Sequence, residues 1–361
     1  MKRLRTTFTF LFLFAAFSSI TTMVSCQQSA SKQKTATNGV SQTSQTNVNG
    51  SVQNQQNPTG TQSGQKVNNA GGTNLADKKA QDDPNKKMLN AYNTKAIESL
   101  GPIRQVNMTP DQKKAQDLYQ SATKKSTDGD QIGAIQDLTE SLNLYRTPNA
   151  YLKRGFAEIL AEDYVSALND MNEAIKMNAT LYKAYFGRGI CHFEQKDYKA
   201  TEDDLKVFVE KDKTNPMAYN YLGGCMFLKQ DFKSALEDYE MVAKLDPNFP
   251  DVYTNRGMMK HYLKDLKGAI DDYNKALTLD PKNATAYNNR GGAKLNLGYS
   301  QGALEDFNSA IRLQSDYADA FDNRGRAKLN LGDQSGACQD FHRAYGLGLE
   351  ASKEMIDQYC K

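Results

Sequence analysis

Chemistry in this chain would have to start from few residues. Its three histidines, His192, His261 and His342, stand far apart. One string fits the pattern Gly-x-Ser-x-Gly: Gly298-Tyr299-Ser300-Gln301-Gly302. A nucleophile elbow needs a strand entering that turn and a helix leaving it, so that the serine hydroxyl is thrown clear of a sheet. Here the flanking pattern is helical on both sides, and the string reads as a turn between helices. Aspartate recurs at a fixed step, at Asp137, Asp170, Asp204, Asp238, Asp272, Asp306 and Asp340, not as the close pair that acid–base work requires. HExxH, CxxC, Walker-type and GxGxxG strings do not occur. The sequence predicts no enzyme, no metal site and no cofactor.

The regular step of the aspartates is the stronger signal, because self-similarity at a fixed period marks a repeat architecture. Residues 286–298 read AYNNRGGAKLNLG and residues 320–332 read AFDNRGRAKLNLG, with ten of thirteen letters shared at an offset of 34. A small residue recurs at Ala134, Ala167, Thr201, Ala235, Ala269, Ala303 and Ala337. A ring column runs through Tyr151, Tyr185, Tyr219, Tyr253, Tyr287 and Phe321, and glycine follows at Gly155, Gly189, Gly223, Gly257, Gly291 and Gly325. Within one unit Tyr287, Gly291 and Leu295 fall at i, i+4 and i+8, one stripe of a helix. Gly298 ends that helix, and Ala303, Phe307, Ala310 and Ile311 form the stripe of a second. A lone helix pair cannot bury both faces, so the units must stack. The predicted fold is all-α: an α-solenoid, right-handed, of seven helix-turn-helix units over 109–349 with a capping helix at 350–361. Residues 85–108 are predicted as one weaker helix and a linker.

This pattern of period, glycine, alanine, Tyr/Phe and Asp-Pro resembles the tetratricopeptide repeat (TPR). That resemblance implies a concave groove, lined by the first helix of each unit, in which partner proteins or extended peptide segments dock. Arginine accompanies the aspartate column at Arg154, Arg188, Arg256, Arg290 and Arg324, with Leu222 breaking the series. Each Arg sits about 60° round the helix from the buried ring. Pairing with an Asp between neighbouring helices is therefore favoured over an exposed charged strip. Asn255, Asn289 and Asn323 lie two residues beyond the ring column, about 200° round the helix, on the side predicted to face the groove. An amide offers a donor and an acceptor, so a row of them suits a peptide backbone. The row resembles the asparagine ladder of the O-linked N-acetylglucosamine transferase TPR array. It also resembles one element of the carboxylate clamp in chaperone-binding TPR domains. The equivalent places in earlier units hold Lys153, Gly187 and Tyr221, which depart from a full clamp. The groove candidates are Asn255, Asn289, Asn323, Lys153, Lys183 and Tyr221.

Apart from Cys26, four cysteines allow three connectivities. Cys191 and Cys225 occupy the same place in successive first helices, whose axes pack about 8–10 Å apart, beyond the ~7 Å Cα limit of a disulfide. Cys338 and Cys360, on the last second helix and the cap, are the candidate pair, permitted in an oxidising envelope.

The chain opens with Lys2, Arg3 and Arg5 and the apolar run FTFLFLFAAFSSI (8–20), the layout of a secretory signal and too short to span a bilayer comfortably. It continues MVSC into Cys26. Residues 1–25 resemble a bacterial lipoprotein signal, which implies cleavage and acylation (palmitate-type) at Cys26; Met23 departs from the family's usual leucine. Residues 26–84 carry this cysteine and then a Gln/Ser/Asn/Thr/Gly-rich stretch without aromatics, predicted as a disordered tether. Such a coil of ~50 residues spans on the order of 40 Å. Beyond the signal, 42 basic residues face 42 acidic ones, which gives no electrostatic footprint for nucleic acid. The whole resembles TPR lipoproteins of Bacteroidetes-type bacteria. The expected function is an envelope scaffold, lipid-anchored and facing the periplasm from the outer membrane, that holds other envelope proteins. Nothing points to a small-molecule ligand. The alternative is an outer-membrane glycan-binding lipoprotein of the starch-utilisation type. The absence of tryptophan and the uniform length of the units weigh against it.

Overall fold

The computed structural model describes residues 108–361. The signal, Cys26, the tether and the helix expected over 85–100 lie outside these described residues. Fifteen helices are described, all α and paired in order. The first unit is α1 (Pro110–Thr127) with α2 (Gln131–Leu144), and the second is α3 (Pro148–Leu160) with α4 (Tyr164–Met177). The third and fourth are α5 (Tyr182–Glu194) with α6 (Tyr198–Lys211), and α7 (Pro216–Leu228) with α8 (Phe232–Leu245). The fifth to seventh are α9 (Pro250–Tyr262) with α10 (Leu266–Leu279), α11 (Ala284–Asn296) with α12 (Ser300–Leu313), and α13 (Ala318–Asn330) with α14 (Gln334–Gly346). A short α15 (Ser352–Tyr359) closes the array. The described residues thus form an all-α solenoid, each helix packing chiefly on its sequence neighbours.

Local chemistry sets the helix starts. Thr109 forms a capping box with Gln112 at α1, and Pro110, Pro148, Pro216 and Pro250 sit in first turns, where their missing N–H leaves no bond unmade. Asp130, Asp163, Asp197, Asp231, Asp265 and Asp333 cap second helices, each side chain accepting from a backbone N–H of the first turn. The sixth unit breaks the series, with Tyr299 at the cap and no side-chain bond. One residue before these caps the backbone turns left-handed. Glycine fills that place at Gly129, Gly298 and Gly332; Glu162, Lys196, Gln230 and Lys264 adopt it as non-glycines, with φ of 62–69°.

The repeated small residues make close packing possible. A Cβ on Gly291 would stand 2.6 Å from the Phe307 ring, and on Gly325 2.6 Å from the Phe341 ring. Phe307 and Phe341 are fully buried, as are Tyr239, Tyr273, Met171 and Leu205 in the same column. Thr201 replaces alanine without an orphaned hydroxyl, because its Oγ1 donates to the Asp197 carbonyl at 2.9 Å. Successive first helices also touch one another, whereas successive second helices scarcely do. The first helices therefore line one face, here called the inner face. In α15 the half-buried residues include Met355, Ile356 and Tyr359.

Candidate functional site

The arginine column is built into the joints between units. Arg154, Arg188, Arg256, Arg290 and Arg324 each bond the aspartate of their own second helix through two nitrogens: Asp170, Asp204, Asp272, Asp306 and Asp340. Each guanidinium also lies over the ring of its own helix, Tyr151, Tyr185, Tyr253, Tyr287 or Phe321, at 5.2–5.8 Å. Four of them reach back to the preceding second helix, to Thr139, Asn172, Asn274 and Asn308. These arginines tie adjacent units and offer no free basic strip. Sequence reasoning missed a companion column four residues beyond each Arg. Lys260, Lys294 and Lys328 there touch Asp272, Asp306 and Asp340 at 2.7–2.8 Å. The second unit places Glu158 at this position, beside Asp170. Burial, and then the Asp170 charge, push its carboxyl up to about 8, and its Oε2 has no hydrogen-bond partner. In the fourth unit Leu222 leaves Asp238 without an arginine, and burial pushes that carboxyl up to about 7.

The asparagines stand in series on α9, α11 and α13, but their surroundings correct the picture of an open ladder. Asn289 is only 6% exposed, and its Nδ2 has no hydrogen-bond partner. Asn255 and Asn323 are half-buried. The Asn323 amide donates to Asn288 Oδ1 at 3.1 Å, and Asn288 donates in turn to Asn289 Oδ1 at 3.3 Å. Asn288, itself buried, is the residue missed. Its column also carries Asn220, Thr254 and Asp322, polar at the same register, and that periodicity was the available signal. Farther on, Asp322 accepts from Ser352 of α15 and from Arg326, both at 2.7 Å. An amide and carboxylate string thus runs from α11 to the cap. A helical wheel treats the helix as isolated. Here neighbouring first helices converge and enclose part of what the wheel leaves open.

The earlier candidates differ more. Lys153 is 2% exposed; its ammonium bonds Thr123 Oγ1 and lies 4.2 Å from the Tyr119 ring centroid. Burial pulls it down to about 8. It is a tie between the first two units and not a groove cation, because its stem runs between α1 and α3. Lys183 is half-buried and shifted downward by burial. Tyr221 packs edge-on against Phe193, with centroids 5.1 Å apart. Lys153, tied to Thr123 and Tyr119, is thus held at the other end of the array from the asparagine string.

Cys338 and Cys360 are joined, with Cα atoms 5.5 Å apart. Cys191 and Cys225 are free and buried, and burial pushes both thiols up to about 12. Ser300 opens α12 after the left-handed Gly298, with a helix before the turn and a helix after it. Among the described residues no three His, Cys, Asp or Glu side chains converge as a metal site. Nor is any described helix long and apolar enough to cross a membrane.

Two family descriptions match the chain: "TPR repeat" over residues 257–298 and "Tetratricopeptide repeat" over 284–317. No curated protein matches it. Among solved structures, the C-terminal part of a TPR repeat-containing protein from Cytophaga hutchinsonii shares 17% identity at a TM-score of 0.51, covering 65% of this chain and 98% of that one. An APC/C hetero-tetramer structure shares 13% identity at 0.51, covering 70% of this chain and 57% of that one. A tetratricopeptide repeat protein from Parabacteroides merdae aligns at 14% identity and 0.49, over 69% of this chain and all of that one. At such identities the two likenesses at 0.51 speak for fold alone. The chain carries tetratricopeptide repeats over residues 257–317, and helix pairs with the same period and packing columns run from Pro110 to Tyr359.

Proposed function

We infer that this chain is a scaffold that binds an extended segment of a partner protein along the inner face of its last three units. The observation that carries the reading is the amide string Asn289–Asn288–Asn323, with the buried, unpartnered Nδ2 of Asn289 at its head. A buried donor without an acceptor costs about 1–3 kcal/mol, and a peptide carbonyl reaching it would recover that. Half-buried Asn255 one unit earlier and exposed Asn296 and Asn330 nearby extend a neutral, hydrogen-bonding surface. Such a surface reads backbone rather than charge.

We further place the scaffold in a bacterial envelope, anchored through acylated Cys26 at the outer membrane and facing the periplasm, within a complex of other envelope proteins. Support comes from the basic and apolar start, the MVSC junction and the glutamine- and serine-rich stretch after it.

Crosslinking in the native envelope, read by mass spectrometry, tests the scaffold role. Partners are expected through α9 to α13 in the parent and lost together in a variant with Asn255, Asn289 and Asn323 all changed to Ala. Partners retained by that variant, with helicity and melting unchanged, would sink the amide-string site. Binding of the soluble array to glycans would instead turn the reading toward carbohydrate capture. Cys26→Ser should release the chain from the membrane fraction.

A further inference from the structure

Each aspartate of the second-helix column has two places on its own first helix from which a partner can reach it. They are the arginine column and the companion column four residues beyond it. Arginine forks fill the first place in five units. The first unit has Ser121 and Lys125 instead, and both bond Asp137 at 2.7 Å. In the fourth unit the two places are Leu222 and Met226, both apolar and buried. Asp238 is thus the one aspartate of the column with no polar residue at either place, and it hydrogen-bonds no described residue.

The five forked aspartates are 3–5% exposed, whereas Asp238 is half-buried. Leucine ends at its δ carbons, so Leu222 lacks the guanidinium that covers the carboxylate in the other units. Tyr219, the ring of this unit, is half-buried as well. Burial, and then the nearby Asp238 charge, raise its hydroxyl. In the arginine-bearing units the matching ring carries a guanidinium on its face. Lys206 of α6 is the cation that acts on Asp238, yet its ammonium is held by Glu202 at 2.6 Å. Glu202 and Glu237 add negative charge around the carboxyl. A carboxylate so placed is left with its desolvation cost and no counter-ion. The planar fork of a guanidinium answers it with two hydrogen bonds and a flat face for the ring, which an ammonium does not.

We propose that Asp238 and the Tyr219 ring form a binding site for an arginine side chain of a partner protein, whose guanidinium takes the place that the chain's own arginines fill in five other units. A carboxylate and a ring face recognise a side-chain tip, which suits arginine within a polypeptide better than the free amino acid. The site lies on α7 and α8, not in the amide string of α11 and α13, so it goes beyond the scaffold reading and stands without it.

The test uses the full chain with carbon-13 in its aspartate carboxyls, the Asp238 signal being assigned by its loss in Asp238→Asn. The probe is the tripeptide Gly-Arg-Gly, blocked at both ends, with Gly-Lys-Gly blocked likewise and free arginine as comparisons. The arginine tripeptide should shift the Asp238 signal saturably and leave the five forked aspartates still. At saturation the proton affinity of Asp238, now set by a pKa of about 7, should fall at least tenfold. The lysine tripeptide should bind at least threefold more weakly, and Leu222→Arg should abolish the response by filling the site from within. Should Leu222→Arg fail to melt cooperatively, Tyr219→Leu decides, with at least a threefold loss of arginine-tripeptide affinity expected. The variant lacking Asn255, Asn289 and Asn323 should bind the arginine tripeptide as the parent does, which separates this site from the amide string. An unmoved Asp238 signal, equal binding of the lysine tripeptide, or an undiminished response in a folded Leu222→Arg or Tyr219→Leu overturns the proposal. Tighter binding of free arginine than of the tripeptide makes the occupant a small molecule and overturns it equally.

Discussion

At the scale of single residues, burial and partner count decide what each charged group does. Asp204 and Asp306 are both nearly buried and both held by an arginine fork, yet their reserves differ. Asp306 keeps Lys294 at 2.8 Å if Arg290 is lost, whereas Asp204 keeps only His192 at 3.7 Å. Removing one partner of a buried pair costs about 3–5 kcal/mol when the other charge is stranded. Arg188→Ala should therefore fall in that range, and Arg290→Ala should cost about 1–3 kcal/mol. Thermal melts of the two variants give the order; equal losses would show that the lysine column carries no weight. Glu158 and Asp238 set a pH dependence. Burial holds their folded values at about 8 and about 7, above the ~4 of an unfolded carboxyl. The folded chain keeps protons that the unfolded chain has released, so these groups favour folding below pH ~4 and lose that contribution as pH rises through 7 and 8. Melting temperature should fall between pH 5 and pH 8. Glu158→Gln with Asp238→Asn should flatten the slope.

At the scale of the element, the turn between the two helices of a unit is the place where sequence and backbone disagree. Gly298 and Gly332 meet the left-handed backbone without strain, and Lys264 and Gln230 do not. A left-handed non-glycine costs about 1–2 kcal/mol. The more flexible unfolded glycine chain takes back part of any gain. Lys264→Gly should raise stability by roughly 0.5–1 kcal/mol, and Gly298→Ala should lower it by about 1 kcal/mol. Opposite signs in a melt are the check, and equal signs would refute the strain argument.

At the scale of the whole molecule, a repeat array is stabilised by nearest-neighbour interfaces and frays from its ends. The C-terminal end is pinned twice: by the Cys338–Cys360 bond and by Gln334 Nε2, which donates to the Tyr359 carbonyl at 2.5 Å. Closing a loop of 22 residues contributes about 3 kcal/mol in the chain-entropy picture. Cys360→Ser should release α15, seen as fast hydrogen exchange over 352–359, with α3 to α10 unaffected. Intact mass with and without reductant gives the companion reading, a gain of about two daltons per opened bridge.

The sequence by itself determined the seven-unit all-α array, the Arg–Asp joints and the separation of Cys191 from Cys225. Each follows from local period: side chains 3.6 residues per turn apart on helices of fixed length fall into columns, and columns must meet when units stack. Only the tertiary structure decided which polar residues remain open. Asn289 and Lys153 belong to the same column as Asn323, yet they are buried by neighbouring first helices that a single-helix projection omits. The Asn288 bond across units and the unbonded Glu158 Oε2 likewise depend on distances between helices. Periodicity fixes a side chain's direction from its own axis; how near the next axis comes is set by the volumes packed between them.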